Sequence, residues 1–431
     1  MNRKGFLFGY SGSLFSSALI TTFGLGVSSA LNLAGLFLWV RLLSPAEFGL
    51  FSLVTGAALM LNALGFEWLR LAGARSLTDP STPTGVSTER LSAWLHVAAL
   101  LAIALAVAVL AATFTGLALP GLPPRWNLVM LLLAISEMPF AAVTLVARLQ
   151  LRATTYATAM IGRSGLALGA GALLVHAGSG PGGIVAATAL AQFAVTGVLV
   201  ARDPLWRSAL TSSPPLAEHT GLVRLGAPLV AGSALALAAA TIDRYLVAAT
   251  LGLDAAGRFS APAELVAKTL GFALMALNLA AYPMLVRTYE RDGPAAADRA
   301  LDRNLVLLLA IGAPILLAFL LLPGPLAAAL LGPSAGAESA SLLPLLAVAA
   351  LLRLLVNFHF AVALQLARRM ALTLAPSLVT LALLIPLARV AITSGGLGGF
   401  VRLLVVAQGA GAVSAWLLAR RALPRPARRR A

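Results

Sequence analysis

Long apolar stretches separated by short polar turns run through the whole sequence and predict a bundle of membrane-spanning helices. A helix needs about 20 mostly apolar residues to cross the hydrocarbon core of a bilayer. Two glycine-rich clusters, at 178–183 and 394–396, split longer apolar stretches and predict tight hairpins. Windows of this length then predict about twelve spans, at 14–40, 50–72, 92–119, 126–149, 155–177, 182–201, 225–250, 258–287, 304–322, 341–367, 371–393 and 397–419.

A short motif occurs twice, about half the chain length apart. Gly49-Leu-Phe51-Ser52 returns as Gly257-Arg-Phe259-Ser260, and each copy follows a turn and opens the next apolar stretch. A chance echo in an Ala-, Leu- and Gly-rich chain is the alternative, but the equivalent position favours two like halves. The predicted organisation is a six-helix lobe at 1–203, a cytoplasmic linker at 204–221, a second six-helix lobe at 222–419 and a basic tail at 420–431.

The basic residues predict the orientation of this bundle. With the N-terminus inside, twenty-one Arg and Lys residues fall at cytoplasmic ends and only Arg41, Arg125 and Arg258 at outer turns. This positive-inside bias predicts that both termini are cytoplasmic. Because each half then has six spans and enters from the same side, the halves are predicted to be related by a pseudo-two-fold axis along the membrane normal.

Composition agrees with a multi-pass membrane protein and excludes several other classes. Hydrophobic residues make up 60% of the chain, charged residues 11%, and the mean hydropathy is +0.93, far from the range of soluble proteins. The formal net charge of +16 belongs to helix ends, so we interpret it as membrane orientation and not as nucleic-acid binding. The chain contains no cysteine, which excludes disulfides and cysteine metal sites, and no metal site is predicted.

Four basic residues lie deep within predicted spans and form the candidate anion site. A charge in hydrocarbon costs about 2.5–3.5 kcal/mol or more, so each deep charge needs a polar surrounding. We predict that Arg163, Arg244, Lys268 and Arg353 face one water-filled cavity and offset the charge of a phosphate. Asn357, one turn after Arg353, would add hydrogen-bond donors to this cavity. Structural ion pairing is the alternative, because Glu264 lies one turn before Lys268 and Asp243 adjoins Arg244.

The deep acids and one histidine are candidates for ion coupling. Glu137 has no basic neighbour within one helical turn, and such a lone acid can be protonated or can bind a cation. We therefore treat Glu137, Asp243 and Glu264 as candidate sites for coupling H⁺ or Na⁺, and no cofactor is predicted. His359 lies within a span and is a further candidate lining residue of the cavity.

The residues around both copies of the repeat resemble those of polysaccharide-export flippases. Arg-Leu-Leu-Ser-Pro-Ala-Glu-Phe-Gly-Leu-Phe-Ser at 41–52 resembles the first outer turn of that family. The likeness continues in the second half, at Ile242-Asp243-Arg244, at 251–260, at Ala281-Tyr282-Pro283 and at Leu330-Leu331-Gly332. Lipid II itself is not expected as cargo, because the chain has fewer spans than lipid II flippases and no charge in its first span.

This resemblance implies the fold and activity of the multidrug/oligosaccharidyl-lipid/polysaccharide exporter superfamily. The implied fold is all-α, with two six-helix lobes around a cationic cavity, and Arg244 is the matched position that would belong to the cavity. The implied activity is not enzymatic: an undecaprenyl-pyrophosphate-linked oligosaccharide, the repeat unit of O-antigen, capsule or exopolysaccharide, crosses the inner membrane by alternating access. The implied partners are this lipid-linked oligosaccharide, membrane lipids, a polysaccharide polymerase and glycosyltransferases.

Two other functions remain open from the sequence. An ion-coupled multidrug antiporter of the same superfamily would favour acidic and aromatic cavity residues for cationic cargo. A membrane glycosyltransferase, polymerase or ligase acting on lipid-linked sugars would need a large outer loop or an acidic catalytic motif, and the predicted outer turns are short.

Overall fold

The first half of the chain is helical throughout its apolar stretches. The computed structural model describes residues 3–79, 81–82, 84–117, 119, 122–332 and 336–422, so most of the predicted tail lies outside it. Two short non-α turns interrupt this half, a π-helical turn at Ala63–Glu67 and a 3₁₀ turn at Pro124–Trp126. The helices are α1 (Arg3–Leu42), α2 (Pro45–Asn62), α3 (Trp68–Ser76), α4 (Thr88–Phe114), α5 (Asn127–Leu149), α6 (Ala153–His176), α7 (Gly180–Arg202) and α8 (Pro204–Thr211).

The second half contains two unusually long helical stretches. Two π-helical turns, at Ala327–Leu331 and Val356–Phe360, and a 3₁₀ turn at Met370–Leu374 connect shorter pieces. The helices are α9 (Leu216–Asp292), α10 (Pro294–Leu321), α11 (Pro323–Leu326), α12 (Gly336–Leu355), α13 (Ala361–Leu366) and α14 (Ala375–Ala422).

The described residues contain the predicted number of membrane crossings. Ten helical stretches in the described part are long and apolar enough to span a membrane, and two of them, Leu237–Asp292 and Met370–Ala422, are more than 50 residues long. Each of these two is broken by glycine in a non-helical conformation, at Gly252 in α9 and at Gly395 and Gly396 in α14. Ten stretches with two of them split make twelve crossings, which confirms the predicted all-α fold of about twelve spans.

The chain divides into two compact units that do not follow the predicted lobe boundaries. The first unit combines the residues up to Gly35 with Leu53–Leu237, and the second combines Leu36–Ser52 with the residues from Ala238 onward. The end of α1 and the beginning of α2, which the sequence places in the first lobe, therefore pack with the second half.

The predicted cytoplasmic linker is part of the folded first unit. Asp203 caps α8, since its Oδ1 accepts a hydrogen bond from the Leu205 backbone N–H at 3.0 Å. Leu205 and Trp206 are buried in a core formed with α3, α4 and α5. After α8, the Ser212 carbonyl accepts a hydrogen bond from Ser92 Oγ of α4 at 3.0 Å. Residues 204–212 of the predicted linker are thus a packed helix and turn of the first unit.

The two copies of the Gly-x-Phe-Ser motif meet within the second unit. A Cβ atom on Gly257 would lie 1.7 Å from the Pro45 carbonyl oxygen, and one on Gly49 would lie 2.2 Å from the Leu253 carbonyl oxygen. The helix backbones approach so closely that only glycine fits at both positions. Phe48 and Phe259 are almost completely buried beside this crossing.

Candidate functional site

Arg244 is the centre of a charged network in the second unit. Its Nη1 donates hydrogen bonds to Ser52 Oγ at 2.8 Å and to Glu264 Oε1 at 3.1 Å. The neighbouring Asp243 lies 3.9 Å from Arg244 Nε and accepts a hydrogen bond from the Arg244 backbone N–H. These groups come from α2 and from both sides of the break in α9, so the network joins three helical segments.

Glu264 connects Arg244 to Lys268. Its second oxygen, Oε2, lies 3.3 Å from Lys268 Nζ one turn along the same helix. The Glu264 side chain is only 14% exposed, whereas that of Lys268 is 42% exposed. Lys268 is therefore the most accessible cation of the network, and its ammonium group has room for a second anionic partner.

Arg353 stands beside the network across a small cavity. The cavity has a volume of about 30 Å³, and Asp243, Arg353 and Gln408 supply its polar lining. Three predicted cations, Arg244, Lys268 and Arg353, and two predicted acids, Asp243 and Glu264, thus lie in one region of one unit. Their formal charges sum to +1, since three bases face two acids.

A cluster of this composition can hold an anion without binding it too tightly. Breaking a buried ion pair by removing one partner is costly because it leaves an uncompensated charge. Glu264 and Asp243 therefore keep Arg244 charged and oriented when no ligand is bound. A phosphate group that reaches Lys268 and the remaining guanidinium donors gains charge-assisted hydrogen bonds, while the acids limit the net attraction.

Arg163, the fourth predicted cation, belongs to the first unit and pairs with Glu137 there. Arg163 Nη1 lies 3.7 Å from Glu137 Oε2, and the guanidinium sits 5.0 Å from the centre of the Phe140 ring. The prediction that Glu137 is a lone acid is wrong, because the fold brings α6 against α5 and supplies a cation that is distant in sequence.

Gln192 of α7 completes this second cluster and was missed by sequence reasoning. Its Nε2 donates to Glu137, and its Oε1 accepts a hydrogen bond from Ser136 Oγ. Gln192 is uncharged and lies among apolar residues, so its only sequence signal is that an amide within a span needs hydrogen-bond partners. Elsewhere in the first unit, Glu67 and Arg70, three residues apart, form an ion pair.

A third polar contact of the first unit joins α1 to α6. Ser28 Oγ and Ser164 Oγ are 2.8 Å apart, and Asn32 Nδ2 donates to Ser164 Oγ at 3.3 Å. Ser164 adjoins Arg163, so this contact fixes α6 beside the Arg163–Glu137 pair. Hydroxyl and amide groups of this kind commonly connect helices within a membrane.

The remaining candidates, Asn357 and His359, lie on the π-helical turn after α12. Asn357 is exposed, whereas His359 is buried and stacks edge-on against Phe360. Neither side chain is hydrogen bonded to the Arg244 network among the described residues. In the part of the chain that the structure describes, no three His, Asp or Glu side chains come together in a way that could hold a metal ion.

Comparison with known families and solved structures identifies the family and the fold of this chain. The model of a family described as polysaccharide biosynthesis protein matches residues 14–289, which is more than half of the chain. The chain belongs to this family. The match covers both copies of the glycine motif, Arg244 and Lys268, and it confirms the resemblance seen in the sequence. No curated protein matches the chain in sequence.

Solved structures with the same fold are transporters of one superfamily. The lipid II flippase MurJ in an inward closed conformation has a TM-score of 0.70 at 10% identity, over 93% of this chain and 87% of that one. A MOP superfamily transporter from Pyrococcus furiosus Vc1, described as having a binding pocket of reverse polarity, has a TM-score of 0.62 at 16% identity, over 95% of each chain. A multidrug resistance MATE transporter in an outward-facing conformation has a TM-score of 0.62 at 18% identity, again over 95% of each chain. At these identities the likeness establishes the fold.

Proposed function

We propose that this protein moves a lipid-linked oligosaccharide across the membrane, with the pyrophosphate of the carrier bound at the Arg244 network. The proposal includes an undecaprenyl-type carrier, a repeat unit of a cell-surface polysaccharide as cargo, and the inner membrane as location. The family description supports a role in polysaccharide biosynthesis, and the lipid II flippase MurJ has the same fold.

The proposed binding of a pyrophosphate rests mainly on the excess of positive charge in the Arg244 network. Three cations against two acids favour an anionic ligand. The half-exposed Lys268 can be reached without opening the buried Arg244–Glu264 pair. A cationic drug would have to overcome this charge, so the network favours a pyrophosphate over the cargo of a multidrug antiporter.

The Arg163–Glu137–Gln192 cluster is the proposed place for a coupling ion. Glu137 is 30% exposed, whereas Asp243 and Glu264 are 13% and 14% exposed. Among the three acids it is the one that protons or Na⁺ reach most directly. Protonation of Glu137 would free Arg163 from its ion pair. Binding of the coupling ion would then change how α5 and α6 pack together.

A deletion of the gene in its own host tests the cargo. We expect the strain to lose surface polysaccharide and to accumulate the lipid-linked repeat unit, and the wild-type gene to restore both. Arg244→Ala and Lys268→Ala should reduce restoration about tenfold to hundredfold, because each removes charge-assisted hydrogen bonds worth about 1.5–3 kcal/mol. Lys268→Arg should retain most activity.

Arg258→Ala is the matched control for these variants. Arg258 lies on the same helix as Lys268 and is exposed to a similar degree, but it pairs with Asp254 and Glu338 and not with the Arg244 network. Membrane levels of all variants are measured by immunoblotting. Full restoration by Arg244→Ala and Lys268→Ala would contradict the site. Normal polysaccharide in the deletion strain, together with increased sensitivity to cationic drugs, would favour the multidrug antiporter.

A further inference from the structure

A second polar cavity lies in the first unit, where several helices end on one side. It has a volume of about 350 Å³ and opens between the end of α5, the start of α6, the end of α7 and α8. The spans that border it end at Leu149, begin at Ala153 and end at Arg202. The cavity therefore lies at the boundary between hydrocarbon and water, on the face that the positive-inside pattern predicts to be cytoplasmic.

The charged lining of this cavity has an excess of one positive charge. Arg152 is paired with Asp203, which also caps α8. Arg202 also lines the cavity, and it forms no ion pair within the described part of the chain. Because Arg202 is exposed, its guanidinium is available to an anion that enters from the interface.

The start of α6 adds backbone donors to this lining. Helix α6 begins at Ala153, and no side chain among the described residues caps its N-terminus. The first N–H groups of a helix have no partner within the helix. Thr155, in the first turn, lines the cavity as well. The N-terminus of a helix carries a partial positive charge that favours anions.

Gln150 adds an amide group to this lining. The residue lines the cavity, and its side-chain nitrogen and oxygen are buried without a hydrogen-bond partner among the described residues. Buried polar groups without a partner are rare in native proteins because they are costly. A ligand that accepts a hydrogen bond from the Gln150 amide and donates or bridges one to its carbonyl would satisfy both atoms.

The opposite wall of the cavity is apolar. Val143, Val146 and Leu199 face it from α5 and α7, and Trp206 faces it from α8. Val143, Val146 and Trp206 are already almost completely buried, and Leu199 is the partly exposed member of this wall. A lipid at this boundary can place its phosphate against Arg202 and Gln150 while the first methylene groups of an acyl chain cover Leu199.

We propose that this cavity binds the phosphate headgroup of an anionic phospholipid from the adjacent leaflet. The phosphate contacts Arg202 and the N-terminus of α6, the glycerol hydroxyls of the headgroup contact Gln150, and an acyl chain lies along Leu199. The site is separate from the Arg244 network and does not depend on the cargo proposed above.

Native mass spectrometry of the purified full-length protein in detergent tests this site. The probes are phosphatidylglycerol, phosphatidylethanolamine of the same acyl composition, and inorganic phosphate. We expect phosphatidylglycerol to bind at least tenfold more tightly than phosphatidylethanolamine, and inorganic phosphate not to displace it at equal concentration. Arg202→Gln should weaken binding of phosphatidylglycerol about tenfold, because it removes the unpaired cation.

Two further variants make the result specific. Gln150→Glu has nearly the same shape and adds a negative charge inside the cavity, so it should abolish phosphatidylglycerol binding. Arg207→Gln is the matched control, since Arg207 lies on the exposed face of α8 and does not line the cavity, and it should bind like wild type. Equal losses for Arg202→Gln and Arg207→Gln, equal binding of the two lipids, or displacement by inorganic phosphate would each overturn the proposal.

Discussion

At the scale of single residues, Arg244 is held by groups from separate stretches of the second unit. Ser52 lies 192 positions earlier in the chain and Glu264 lies 20 positions later. The sequence identifies Arg244 as a deep charge that needs a partner. The repeated motif marks Ser52, but the sequence cannot pair it with Arg244, because a serine carries no charge that would indicate an ionic partner.

The Arg163–Glu137 pair provides a test of coupling between two residues. We expect Arg163→Leu to lower the apparent unfolding temperature, since it leaves the Glu137 carboxylate without its cation. Glu137→Gln keeps the hydrogen bond to Gln192 and should cost less. The double variant should recover part of the loss, with a coupling energy of about 1 kcal/mol for a pair that is partly exposed.

Thermal unfolding of the purified variants in one detergent measures this cycle. Arg389→Leu is the control, since Arg389 is exposed on α14 and forms no ion pair in the described part of the chain. If the double variant is no more stable than Arg163→Leu alone, the two side chains do not interact in the way the structure indicates.

At the scale of helical elements, the repeated glycine motif has a packing explanation. Gly49 and Gly257 occupy equivalent places in the two halves of the sequence, and they meet where the backbones of α2 and α9 cross. A side chain at either position would collide with a carbonyl oxygen, and not with the movable end of a side chain. The repetition therefore reflects one close contact that both copies of the motif build together.

Gly257→Ala tests this crossing. The added methyl would lie 1.7 Å from the Pro45 carbonyl oxygen, so the helices must separate. We expect a loss of stability of about 1–3 kcal/mol from overpacking, together with reduced polysaccharide export. Gly271→Ala on the same helix is the control, because no described atom lies within 4 Å of the added methyl, and it should be neutral or stabilising. Equal stability of the two variants would contradict the close contact.

The glycine breaks decide where α9 and α14 become two spans each. Gly252 has a φ of 86° and a ψ of 179°, a conformation that only glycine adopts without strain. The sequence predicts a turn after residue 250 from the fall in hydropathy. The hydropathy does not show that the helix is interrupted there by a single glycine and not by a longer loop.

At the scale of the whole molecule, the orientation of the twelve crossings remains a prediction from charge. It can be tested cleanly because the chain has no cysteine of its own. Ser394→Cys lies in a predicted outer turn, Thr115→Cys lies just after the end of α4 on the same predicted side, and Ser213→Cys lies on the predicted cytoplasmic side. All three positions are exposed.

Labelling of intact cells with a membrane-impermeant maleimide gives the result. We expect Thr115→Cys and Ser394→Cys to be modified in intact cells, and Ser213→Cys only after the membrane is permeabilised. Activity of each variant in the deletion strain controls for folding. Modification of Ser213→Cys in intact cells would reverse the orientation and with it the leaflet assigned to the phospholipid site.

The division of the chain into units was only partly predictable. Hydropathy predicts the twelve spans and charge predicts their orientation, because both signals are local sums over neighbouring residues, and the repeated motif predicts two like halves. Two features of the units depend instead on contacts between segments that are distant in sequence, which local signals do not report. Leu36–Ser52 packs with the second unit, and residues 204–212 pack in the first.

The sequence by itself determined the class of this protein, the number of its spans and the short set of buried charges that need partners, since the cost of polar groups in hydrocarbon leaves few alternatives. Only the tertiary structure decided which charges compensate one another. It joined Arg163 to Glu137 in one unit and gathered Arg244, Lys268 and Arg353 in the other. The physical reason is that charge compensation acts over a few ångströms in space, and helix packing brings together residues that are far apart along the chain.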